Sequence, residues 1–158
     1  SGAIIDYLGA KYGEPGFLPE RDTPDHSRYL YWLHASEGSL MPVMMMDLLT
    51  KRIRKNAPFV IKPVANAICN QIQAKFVKPN LQPLLALMEN HLAQNEWFAG
   101  ATFSGADIQM GYPIEAIETR VGLDESSKHL VAFLKKIRQR PAYQRALEKT
   151  GGFAMLTS

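Results

Sequence analysis

From Tyr29 to Ile137 the large apolar residues recur at spacings of three and four. Nowhere do they alternate with polar residues long enough to read as a strand. Tyr29, Trp32, Leu33, Ser36, Leu40, Met44 and Leu48 trace one face of a helix running to about Lys55. Val64, Ile68, Ile72 and Phe76 begin a second run over about 60–94, which Leu81, Leu84, Leu85, Met88 and Leu92 continue. Leu130, Phe133, Leu134 and Ile137 mark a fourth helix of the bundle. A chain patterned this way can bury its apolar surface only by packing helix on helix, so the fold class is all-α. Its 158 residues, 46% hydrophobic, suffice for a full core.

The interruptions are as informative as the runs. Thr23 is an N-cap, Pro24 sits at the first helical position, and Asp25 faces the positive end of the helix dipole. Inside that helix Pro42 removes a backbone donor and is expected to kink it near Gly38. Pro79 and Pro83 fall within the 60–94 run, where one bent helix is expected because the stripe resumes without a loop composition. Phe103-Ser104-Gly105-Ala106-Asp107 is the sharpest local signal. Ser104 is placed to accept from the Asp107 amide, and the Asp107 carboxylate to reach back to the Ser104 amide, as a capping box. Phe103 and Ile108 are spaced for a hydrophobic staple. That helix continues through Ile114, Ile117 and Val121 to Gly122, and a last short helix, 142–149, is expected to close at Gly151-Gly152.

Ahead of all this, residues 1–12 form a short helical pattern with Ser1 as cap, Ile4, Ile5 and Leu8 as its stripe, and Gly13 as its stop. Residues 13–24 hold two glycines and three prolines and read as a linker, anchored by Phe17 and Leu18. Three units are expected: a helix over 1–12 remaining from a preceding domain, the 13–24 linker, and a helical domain over 25–158.

Composition narrows function mainly by exclusion. One cysteine, Cys69, excludes an intrachain disulfide framework and a multi-cysteine zinc site, and its apolar neighbours make an inert buried thiol the expectation. The histidines (His26, His34, His91, His129) lack partners at metal-ligand spacing, so no metal is expected; His26 and His91 fall on faces expected to be exposed, and His129 is expected to be solvated. The run Lys51-Arg52-Ile53-Arg54-Lys55 lacks the aromatic interleaving of a nucleic-acid site and suits the negative end of a helix dipole. No apolar stretch is long enough to span a membrane.

The segment Ser-Gly-Ala-Ile-Ile-Asp-Tyr-Leu-Gly-Ala-Lys-Tyr-Gly at 1–13 resembles the third helix of the thioredoxin-like domain of glutathione transferases. The 13–24 segment resembles that family's inter-domain linker, Trp97-Phe98-Ala99-Gly100 its lead-in, and Ser104-Gly105-Ala106-Asp107-Ile108 its buried capping box. Arg140-Pro141-Ala142-Tyr143-Gln144-Arg145-Ala146-Leu147 is similar to a bacterial-type tail. The resemblance spans the chain with motifs in order, and it implies a five-helix C-terminal bundle preceded by a short helix.

The same resemblance implies a function and its distribution over the family's two domains. The thiol-activating Ser, Tyr or Cys of the family lies before residue 1, so no catalytic residue is expected here and the chain alone is expected to be inactive. Ser1 matches the serine that holds the γ-glutamyl carboxylate of glutathione, a role a helix N-terminus suits. Ser36, Glu37, Met41, Met44 and Met45 match the kinked helix that lines the electrophile pocket, where methionines make a soft apolar wall. Ser104 and Asp107 are structural. The implied reaction is attack of the glutathione thiolate on a hydrophobic electrophile by a cytoplasmic, homodimeric detoxification enzyme, with no nucleic-acid or membrane partner. A non-catalytic assembly module of the same fold, or a glutathione-dependent isomerase, peroxidase or dehalogenase, is the alternative.

Overall fold

The computed structural model describes residues 1–150, and among these residues there is no strand. Helix α1 (Gly2–Tyr12) precedes the turn-rich 13–23 segment; α2 (Pro24–Ala35), α3 (Met41–Asn56), α4 (Lys62–Ile72), α5 (Lys78–Leu92), α6 (Gly105–Arg120), α7 (Lys128–Gln139) and α8 (Pro141–Thr150) follow. The closure at Gly151-Gly152 lies outside the described residues.

Helices α2 and α3 form one rod, as do α4 and α5, because each pair is joined by a π-helical turn rather than a loop. In the first turn, Ser36–Leu40, the Met41 amide reaches back five residues to the Ser36 carbonyl. In the second, Gln73–Val77, the Lys78 amide does the same to Gln73. A proline, Pro42 or Pro79, stands two residues beyond the last residue of each turn. An added residue in the turn lets the helix continue past a proline that lacks its amide, and the expected kink at Gly38 takes this form. Counted as rods, 24–56, 62–92, 105–120, 128–139 and 141–150 make five helices behind α1.

Helix α6 is the centre. Its N-cap Ser104 and Asp107 close the capping box. Asp107 Oδ2 accepts the Ser104 amide at 2.8 Å, while the Ser104 hydroxyl donates to that oxygen at 3.1 Å and accepts the Ala106 amide at 3.3 Å. Asp107 Oδ1 accepts the Phe98 amide at 2.8 Å, so one carboxylate also pins the turn that leads into the helix. The staple takes another form: Ile108 stays 47% exposed, and Phe103 instead packs edge-on against Trp97, at 5.2 Å between ring centres. Met110, Ile114 and Ile117 of α6 meet Tyr29, Trp32, Leu40 and Met44 from the first rod and Leu130 and Leu134 from α7 in one core.

Three expectations need correction. The α4 stripe is not core: Val64 and Ile68 are 63% and 57% exposed, and Cys69, which is buried, turns inward instead. Helix α4 rests on α3, and among the described residues the Val64 and Ile68 face is left exposed. The second π turn then shifts the phase, bringing Val77 and Leu81 inward and leaving Phe76 out. His91 is half-buried, with Nε2 3.0 Å from the Phe98 carbonyl and its ring stacked on Phe98; burial pushes its pKa down. His129 is not simply solvated, since Glu89 of α5 accepts its ring nitrogen and amide, both at 2.8 Å, and the Leu130 amide at 3.0 Å, capping α7 from another helix. His26 also is half-buried, its Nδ1 3.2 Å from the Pro19 carbonyl.

Candidate functional site

Three tethers hold α1, the first rod with its π turn, and α6 together at one end of the bundle. A Cβ on Gly105 would stand 2.5 Å from Ile5, so only glycine lets α1 approach the start of α6 this closely. The Tyr29 hydroxyl donates to Asp6 of α1 at 3.1 Å. Buried Ser36, in the π turn, donates to the Gln109 carbonyl of α6 at 2.8 Å. Between these elements and α7–α8 opens a cavity of about 660 Å³.

Its walls are mostly apolar: Ile5, Met41, Ile108, Pro113, Ile137 and Ala146 line it. One end is polar and reached from solvent. There the Ser1 hydroxyl donates to Glu37 Oε1 at 2.6 Å and accepts from Gln109 Nε2 at 2.8 Å. This corner therefore presents the half-exposed Glu37 carboxylate, with the Ser1 hydroxyl set between it and Gln109.

The other end carries a second polar set. Glu115 of α6, nearly fully buried, accepts the Tyr143 hydroxyl of α8 at 2.6 Å and Arg138 Nε at 3.2 Å. Burial, and then Glu115, push the Tyr143 pKa up to about 12, so its hydroxyl keeps its proton. Arg138 also pairs with Glu118. Arg140 lays its guanidinium over the Phe103 ring, 3.4 Å from its centre, at the cavity's edge. A guanidinium held by its face leaves its in-plane N–H groups available to a polar ligand group.

Of the residues singled out in the sequence, Ser1, Ser36, Glu37 and Met41 line the cavity, together with Asp107. Met44 does not: it is 1% exposed, packed in the core on the opposite side of α3. Met45 does not either, standing 49% exposed on the outer face of that helix. The π turn adds a residue just before Met41 and so rotates the methionines after it away from the cavity. Sequence reasoning missed Ile108, Tyr112 and Glu115, although their spacing of four and then three puts them on one face of α6. Arg140 and Tyr143 fell within a recognised segment but had been given no role. Among the described residues no three His, Cys, Asp or Glu side chains converge on a metal's reach.

The chain is an all-helical bundle whose central helix is pinned by a buried capping carboxylate and whose cavity is bordered by a short leading helix. Residues 60–150 match the family described as glutathione S-transferase, C-terminal domain. The chain belongs to the glutathione S-transferase family. Glutathione S-transferase 3 of Schizosaccharomyces pombe is 33% identical over 150 residues, covering 94% of this chain and 62% of that protein. Glutathione S-transferase 1 of Saccharomyces cerevisiae is 24% identical over 152 residues, covering 94% and 65%. A sphingomonad glutathione S-transferase solved with glutathione superposes with a TM-score of 0.67 at 26% identity, over 95% of this chain and 66% of that one. The chain thus spans a little under two thirds of the length of the curated relatives it matches. Those relatives are eukaryotic, so the bacterial-type tail at 140–147 does not mark the source.

Proposed function

We propose that this chain is the helical part of a glutathione transferase and forms one wall of a pocket in which the glutathione thiolate attacks a hydrophobic electrophile. The observation that carries the reading is the 660 Å³ cavity itself: apolar walls from α6 to α8, closed at one corner by Ser1, Glu37 and Gln109. A γ-glutamyl group is a zwitterion, and both of its charges have a counterpart at that corner. Its carboxylate suits the first-turn amides of α1 and the Ser1 hydroxyl. Its ammonium suits the Glu37 carboxylate beside the Ser1 hydroxyl. The sulfur then faces the apolar wall around Met41 and Ile108, where an electrophile is shielded from water.

A thiol of ordinary pKa is mostly protonated at neutral pH, and the thiolate is the nucleophile. Activation therefore needs a group that hydrogen-bonds the thiolate, which in this reading comes from a thioredoxin-like domain that α1 would complete. A cytoplasmic homodimer acting in detoxification is the setting the family likeness supports. Conjugation of an aromatic electrophile by the 158-residue chain alone would break this division of labour.

The direct test is a series of S-alkyl glutathiones titrated against the chain, followed by Trp fluorescence or calorimetry. Each methylene buried is worth about 0.8 kcal/mol, so affinity should rise roughly three- to fourfold per carbon until the cavity fills. A flat series, or one indifferent to Glu37→Gln, overturns the assignment.

A further inference from the structure

The α3–α4 hairpin exposes apolar side chains that the cavity does not use. Helix α3 ends at Asn56, and Ala57-Pro58 leads into a single 3₁₀ turn, Phe59–Ile61, before α4 begins at Lys62. In that turn Phe59 is 91% exposed and Val60 86%. Ile61, Val64 and Ile68 carry the apolar surface along one face of α4, at spacings of three and four. Large apolar groups at the tip of a hairpin are unfavourable in water and mark a surface that something covers.

Charge says what covers it. Between Asp47 and Glu89 the sequence contains no acidic residue, over 41 positions, and it contains seven cations. Lys51, Arg52, Arg54 and Lys55 close α3; Lys62, Lys75 and Lys78 follow on the other arm. Lys51 is held by Asp47 at 2.8 Å and by the Arg120 carbonyl at 2.6 Å, but Lys55 and Lys62, which bracket the tip, are exposed. An acid-free cationic rim around exposed Phe and Val repels a second copy of itself. It complements a surface that is both anionic and apolar just beneath, which is the interface of an anionic bilayer. The attachment is peripheral: no helix among the described residues is long and apolar enough to cross a membrane.

We propose that the α3–α4 hairpin docks on anionic phospholipid membranes, with Phe59 and Val60 seated at the headgroup–acyl boundary and Lys55 and Lys62 against lipid phosphates. The dipole argument for the Lys51–Lys55 run still holds for the helix end, but it leaves the apolar tip without a role, and membrane docking gives it one.

The test is co-sedimentation of the chain with vesicles of phosphatidylcholine alone and of three parts phosphatidylcholine to one part phosphatidylserine, at low salt. Binding to the anionic vesicles at least tenfold over the neutral ones is expected, and its loss near 1 M salt, where the Debye length is about 3 Å. Lys55→Gln with Lys62→Gln should weaken it by roughly twenty-five-fold, about fivefold for each charge. Phe59→Ser with Val60→Ser should weaken it by about tenfold or more, from lost apolar burial, with the melting temperature unchanged. Equal binding to both vesicles, or none, overturns the proposal. So does a dimer in sedimentation equilibrium that the Phe59→Ser, Val60→Ser variant dissolves, which would give the tip to a second copy. Binding to polyglutamate that matches the anionic vesicles and ignores the serine variant would give it to an acidic polypeptide instead.

Discussion

The two π turns use one backbone device for different ends. Both insert a residue ahead of a proline, and in both a polar side chain, buried Ser36 or half-buried Gln73, ties the turn to a neighbouring helix. In the first, Ser36 reaches the Gln109 carbonyl of α6, and the next residue, Glu37, faces the cavity. In the second, Gln73 donates to Asp47 at 3.0 Å and to Thr50 at 2.6 Å, both on α3. The first turn thus joins the site to the central helix, where Asp107 holds the lead-in. The second joins only the two arms of the hairpin, whose tip is open to solvent. At the cavity end Ser36, Ser104, Asp107 and Glu115 are buried and paired, so they carry stability; at the hairpin the buried pair Asp47 and Thr50 lies on α3 away from the tip, whose own surface is cationic and apolar.

The largest effect should come from the paired end. Asp107→Ala removes the acceptor for the Phe98 and Ser104 amides, both buried. An orphaned buried donor costs about 1–3 kcal/mol, so the pair should cost roughly 3 kcal/mol, and the melting temperature should fall by about 10 °C. An unchanged melting temperature would refute the pinning role.

The same carboxyl makes the cavity end sensitive to pH. Burial raises the Asp107 pKa to about 6, against the opposing pull of the amides it accepts. A group whose pKa is higher folded than unfolded stabilises most when protonated. Its contribution is therefore full below about pH 4 and is lost as pH rises through 6. Relative to Asp107→Asn, the native chain should gain on the order of 2 kcal/mol between pH 6.5 and pH 4, read from urea midpoints at each pH. A difference that is flat across this range, or that grows as pH rises, contradicts it.

A smaller effect separates the two turns. Ser36→Ala leaves the Gln109 carbonyl without its buried donor and should cost about 1–2 kcal/mol. It should also slacken the cavity, weakening S-alkyl glutathione binding. Gln73→Ala should cost about 1 kcal/mol, because Lys51 still faces Asp47, and should leave that binding alone. Equal effects on ligand binding would erase the distinction drawn between the turns.

What the sequence made legible follows from range. The capping box is contiguous, so Ser104 and Asp107 could be read from spacing alone; the Phe98 amide that shares the carboxylate could not. The five rods were legible because apolar spacing survives a proline when the backbone adds a residue. That added residue is also why Met44 and Met45 were misassigned: the π turn changes the phase of every side chain after it, and spacing does not report a turn of that kind. The α4 stripe failed for another reason. Val64 and Ile68 have core periodicity, but periodicity says which residues share a face, not whether anything packs on it. Glu115 and Tyr143 lie 28 residues apart and meet only through the packing of α8, so no local pattern announces them.

The smallest effect on stability should fall at the hairpin tip, and its smallness is the point. Phe59 and Val60 are 91% and 86% exposed and sit in a 3₁₀ turn, so truncating both to serine removes almost no buried area. Surface changes of this kind usually lie within about 0.5 kcal/mol of neutral. Serine hydroxyls would also be better solvated than the rings and methyls they replace. In thermal unfolding the double variant should therefore match the native chain or slightly exceed it, whereas Asp107→Ala falls well below. A loss comparable to that of Ser36→Ala would mean that the tip packs against something within the fold. The contrast between a site end that carries stability and a hairpin end that does not would then fail.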